Sequence, residues 1–198
     1  YDGPININDT TILRAIAYKD NFTPTNVDTQ TYLFPEKVAV QTNNPAGYPS
    51  SWAGVRADYG MDDDPVDFRR AAGDASYSMS AAKAAIADSL KSITTISIVT
   101  DKDNLFDRIK GIYPNPGSRG SQWERPVSVE IINGDGGDDY QTNAGIRIMG
   151  FTSRNLNTTT KLNMRLLFKR EYGDSKMKYP LLGPDGPDEF NTIALRGN

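Results

Sequence analysis

The stretch VSVEIINGDGGDDYQTNAGIRIMGFTSRNLNTTTKLNMRLLFK, residues 127–169, decides the fold. VSVEII (127–132) and AGIRIMG (144–150) are apolar, β-branched runs on either side of NGDGGDD (133–139), whose Asn, Gly and Asp supply hairpin-turn chemistry. A polar loop, FTSRNLNTTT (151–160), leads to a third strand-length run, KLNMRLLFK (161–169). Three strands joined by turns in this order predict an antiparallel meander.

Upstream, SITTISIVT (92–100) reads as a strand buried on both faces or nearly so, and DNLFD (103–107) as one helical turn. Before them SAAKAAIADSLKS, about 80–91, is the clearest helix. It is rich in Ala, with Ser78 or Ser80 placed to cap it and a stripe through Ala82, Ile86 and Leu90. GIYPNPGSRGSQWERP (111–126) is a Gly/Pro-rich loop in which Trp123 is expected to be buried while Glu124 and Arg125 pair. Downstream, REYGDSKMKYPLLGPDGPDEFN (170–191) predicts short turns and NTIALRG (191–197) a further strand. At the front, TTILRAIAYKD (10–20) alternates as a strand does and TQTYLF (29–34) is a second strand. From Pro35 to about Ser76 patterning fades, but Tyr48, Trp52 and Tyr59 predict an ordered strap rather than a floppy linker. The fold class is α+β, mostly antiparallel β-sheet with one clear helix.

Composition narrows the chemistry. The 198 residues include no Cys and no His, which removes thiol nucleophiles, disulfides, structural zinc and every His-based relay. Any metal would be a hard cation held by oxygens. A net charge of −3 offers no basic excess for nucleic acid, and no apolar run is long enough for membrane insertion. The first residue, Tyr1, is not Met and no signal peptide follows, as expected of a piece internal to a longer product. Sequons at Asn8, Asn21 and Asn157 are expected by chance in a chain so rich in Asn and Thr.

Two blocks resemble known families. GPININDTTILRAIAYKDNFTPTNVDTQTYLF (3–34) resembles the last strands of the chitobiase/β-hexosaminidase C-terminal-like, or fibronectin-type-III-associated, domain. The succession LKSITTISIVTDKDNLFD, GIYPNPGSRGSQWERPVSVEII, NAGIRIMGFTSRN, KLNMRLLFKREYGDSKMKYPLLG and TIALRGN is similar to the start of the CotH (spore-coat-protein-H-like) family of atypical protein kinases. The organisation this implies is 1–34, the last strands of a small β-sandwich; 35–75, a strap; and 76–198, the front part of an incomplete CotH-like kinase domain. The resemblance further implies ATP, a divalent metal (Mg or Mn), phosphorylation of Ser on a partner such as a coat-type protein, and secretion or a place on a bacterial cell surface.

Residues with matching chemistry are few. In GIRIMGFTSRNLNTTTKLNMR a turn with Gly150, Thr152 and Ser153 is suited to present backbone N–H groups to a phosphate, with Arg154 and Lys161 adding charge. Gly150, Ser153, Arg154, Lys161 and Arg165 keep the family's pattern, whereas Met149, Phe151, Leu162, Asn163 and Met164 depart from it. A polar hairpin loop with ordinary surface charges is the alternative. The acidic clusters Asp62, Asp63, Asp64 and Asp67, then Asp135, Asp138 and Asp139, then Asp185, Asp188 and Glu189 lack EF-hand spacing. They read as solvated turns, with Asp62–Asp67 the first place to look for calcium. Tyr48, Trp52, Tyr59 and Trp123 suit either sugar stacking or packing. No carboxylate pair stands at a spacing legible for glycoside hydrolysis.

Three functions compete on this reading. One is a fragment of a Ser kinase, inactive alone because the downstream catalytic section lies beyond Asn198. Another is an extracellular scaffold that joins other copies, or the rest of its own polypeptide, through unpaired strand edges. The third is a module that binds surface polysaccharide.

Overall fold

The computed structural model describes residues 3–61, 73, 78–134, 136–137, 139–157 and 159–197. The chain divides into two compact units, each drawn from three separate stretches of sequence: 1–42, 60–97 and 131–139 in one, 43–59, 98–130 and 140–198 in the other. Among the described residues no helix is long and apolar enough to cross a membrane.

The first unit holds strands β1 (Thr11–Ala15) and β2 (Asp28–Tyr32), helix α1 (Pro35–Val38) and the long helix α2 (Met79–Ser92). β1 and β2 pair antiparallel with Leu13 opposite Gln30. The expected strand over 10–20 is thus shorter, because the chain turns through Asn21 at φ 65° and a bond from Thr25 N–H to the Ala17 carbonyl. α2 begins where the Ser78 side chain accepts the Ala81 N–H at 3.2 Å. Its buried face of Ala82, Ile86 and Ala87 includes the two residues that pack with Ala39 beside α1. Lys91 in the last turn offsets the helix dipole and reaches Glu36 at 2.6 Å.

The larger sheet has five strands in the order β11-β8-β7-β6-β5: β5 Thr95–Val99, β6 Arg125–Ile132, β7 Tyr140–Ile148, β8 Met164–Leu167 and β11 Thr192–Leu195. β7 and β8 pair antiparallel with Ile146 opposite Leu166 and Arg147 opposite Arg165, and β11 adds Ala194 opposite Arg165. Pleating sends Ile146 and Leu166 to one face, where both are buried, and Arg147 and Arg165 to the other. β5 ends the sheet as an edge strand, half-buried up to Val99, where the sequence suggested burial on both faces. A two-residue ribbon of β9 (Met177–Lys178) and β10 (Glu189–Phe190) lies within the segment expected to hold short turns.

The aromatic residues of the strap have a packing role. Strands β3 (Ser51–Trp52) and β4 (Val55–Arg56) form a hairpin turned by Ala53 and Gly54, both at positive φ as a primed turn requires. Trp52, only 4% exposed, lies within 4.7–5.7 Å, centroid to centroid, of the rings of Tyr59, Phe106 and Tyr113. Phe106 ends the short helix α3 (Lys102–Phe106). Burial pushes the Tyr113 hydroxyl up to about 12, with Tyr59 and Asp58 adding to the effect. The folded state therefore holds the Tyr113 proton after the unfolded chain has released it, so stability falls as pH rises from about 10 towards 12. The loss over that window is about 3 kcal/mol. Urea unfolding at pH 9 and pH 11.5 measures it, and Tyr113→Phe should flatten the slope; an unchanged slope would count against this assignment.

Candidate anion-binding site

Four guanidinium groups converge where the alternating arginines of β7 and β8 meet two loops. A cavity of about 250 Å³ is lined by Arg119, Arg147, Arg154 and Arg165 together with Gly120, Ile148, Met149 and Gly150. Arg147 and Arg165 stand directly opposite one another across the strands. Like charges in such a pair cost about 0.2–1 kcal/mol unless an anion compensates them. Arg165 has no carboxylate partner among the described residues. Burial, then the charges of Arg119 and Arg147, hold the Arg154 guanidinium below its ordinary value.

Arg154 frames the pocket, with most of its N–H donors spent on backbone carbonyls. Its Nε donates to the Gly150 carbonyl at 2.8 Å, Nη1 to Pro116 and Ser118 at 2.7 and 2.8 Å, and Nη2 to Ile148 at 2.5 Å. One side chain thus ties the loop carrying Arg119 to the end of the strand carrying Arg147. Gly150 sits at φ 104°, and a Cβ there would collide with Ser153 Oγ, so the turn requires glycine. Of the five residues that match the family pattern, Gly150, Arg154 and Arg165 line the cavity and Ser153 abuts Gly150. Lys161 does not line it: its Nζ is 3.8 Å from Asp58, whose carboxylate also accepts the Thr160 hydroxyl at 2.9 Å.

Arg147 is held from behind by a residue the sequence reading placed differently. Glu124 does not pair with Arg125. Its side chain is 1% exposed, with Oε1 3.2 Å from Arg147 Nη1 and Oε2 2.5 Å from Lys169 Nζ. The Tyr172 hydroxyl donates to the same Oε2 at 3.3 Å. Its ring lies over Gly145, where any Cβ would strike it. The hydrogen bond that Lys169 donates to Glu124 is the main cause that raises its amine above the usual value. Arg125 instead donates to the carbonyls of Lys110, Gln122 and Glu124 and lies 5.3 Å over the Trp123 ring, which is half-buried rather than buried.

Arg119 and Arg147 are the pocket residues that sequence reasoning missed. The signal was the polar position inside the alternating run GIRIM, but only the register shows that it faces Arg165. Asp62, Asp63, Asp64 and Asp67 lie outside the described residues, as do Asp135 and Asp138. No group of three or more potential metal-ligating side chains occurs among the described residues. Tyr48, Trp52 and Tyr59 are engaged with one another or with Phe106, which favours packing over sugar stacking.

In comparisons with known proteins, the chain matches no family model, no curated protein and no solved structure.

Proposed function

We propose that this chain is the phosphate-holding front section of a secreted or surface-attached, bacterial CotH-like protein whose parent is an ATP-dependent Ser kinase. The observation that carries the proposal is the four-arginine cavity, because phosphoryl transfer relies on fixed cations around the phosphate oxygens. The resemblance over 76–198 supplies the kinase and ATP. Calorimetric titration of the chain with ATP tests the site. Arg165→Ala should weaken binding at least about tenfold, the loss of one charge-assisted bond, while Lys161→Ala should leave it within about twofold. Equal affinity in wild type and Arg165→Ala would sink the proposal.

A second reading, assembly through the front strands, has its own observation. Ile5, Ile12, Ile16, Tyr18 and Phe22 are each at least half exposed, and among the described residues β1 and β2 form a sheet of two strands. Such a ribbon is marginal by itself. Light scattering should find oligomers that Tyr18→Ser with Phe22→Ser converts to monomers; a monomeric wild type would remove this reading.

A further inference from the structure

We infer that the arginine cavity takes a diphosphate-type anion without a divalent cation, in contrast to the metal-dependent binding that the family resemblance implies. The inference rests on the phosphate reading of the cavity given above and concerns how that phosphate is held.

The lining decides it. A magnesium or manganese ion needs oxygen ligands, usually one or two of them carboxylates. The side chains around this cavity that carry charge are all guanidinium groups. The nearest described carboxylate bonded into the set is Glu124, and both of its oxygens are taken, by Arg147 on one side and by Lys169 and Tyr172 on the other. At 1% side-chain exposure it has no surface left for an ion. Asp58 is occupied by Thr160 and Lys161. The residues of the cavity therefore do not fit a divalent cation.

They do fit an anion of high charge. Arg119, Arg147, Arg154, Arg165 and Lys169 face two carboxylates within their network, Glu124 and Glu171, which leaves a surplus of three positive charges. A diphosphate near neutral pH carries roughly three negative charges, against roughly two for a single phosphate. The volume of about 250 Å³ leaves room for two linked phosphoryl groups. The opposed pair Arg147 and Arg165 is suited to one phosphoryl group, and the exposed loop residue Arg119 to the other. Magnesium in solution would occupy the same phosphate oxygens and so compete with the guanidinium groups.

Calorimetric titration with inorganic pyrophosphate, once in EDTA and once in excess magnesium, tests the inference, with sulfate as the single-anion comparison. Binding in EDTA, weakened about tenfold or more by magnesium and about tenfold or more stronger than that of sulfate, is the expected result. Arg165→Ala and, as a loop variant that leaves the sheet untouched, Arg119→Ala should each reduce it. Pyrophosphate that binds only with magnesium would overturn this inference and leave the nucleotide reading standing. Sulfate binding as tightly as pyrophosphate would overturn the diphosphate assignment. No binding under either condition would remove both the inference and the phosphate reading beneath it.

Discussion

Replacing Arg154 by lysine is expected to lower the melting temperature of the chain by about 6–12 °C, the equivalent of about 3 kcal/mol. The guanidinium reaches the carbonyls of Gly150, Pro116, Ser118 and Ile148 together because its donors spread in a plane. An ammonium is a point with three donors on a shorter reach, and it cannot serve carbonyls on three sides. Hydrogen bonds to a charged group are worth about 1.5–3 kcal/mol each, so losing two of them accounts for the expected figure. The same variant should release the loop around Ser118 from the end of β7, and amide exchange at residues 117–120 should rise more than elsewhere. A melting temperature within about 2 °C of wild type would show that the four bonds are not what fixes this corner.

Glu124→Ala is expected to cost about 3 kcal/mol, the low end of the range for breaking a buried ion pair from one side. The low end applies because Arg147 and Lys169 are 28% and 36% exposed and regain some water when the carboxylate goes. Glu124→Gln keeps a hydrogen-bonding group for Tyr172 but removes the charge, and should fall between the variant and wild type. The pH dependence has a definite sign. Lys169 titrates above its ordinary 10.5, so its share of the stability is fully present below that value and is lost as pH rises through the higher folded one. The stability gap between wild type and Glu124→Gln should therefore shrink above about pH 10.5, measured by urea midpoints at pH 8 and pH 11. A gap that stays constant would show that Lys169 is not the partner that matters.

Much of the secondary structure was legible because it depends on local spacing. The helix over 79–92 differs from the expectation by a residue at either end, and its Ser78 cap follows from a short polar side chain before an Ala-rich run. The inner strands β6, β7 and β8 follow from their apolar alternation. What local spacing cannot supply is register and distance. Nothing in IRIM or NMRL says that their arginines meet, yet that pairing builds the cavity. Glu124 next to Arg125 looked like a pair, but neighbours in an extended chain point to opposite sides, and Glu124 found Lys169 instead. The turn at Gly150 was legible as a turn, and three of the five matched residues do line the site. Lys161 was assigned by its position in a pattern, and the backbone carries it to Asp58.

The face-to-face arginines of β7 and β8 also bear on how the chain assembles. Zipping these two strands together brings one cation towards another, a repulsion that the Glu124 carboxylate offsets at Arg147 alone, while Ile146 and Leu166 draw the strands together on the reverse side. Mobile counterions screen that repulsion at short Debye length. Moderate salt should therefore hasten the meander's completion, and refolding rates at rising ionic strength would record it.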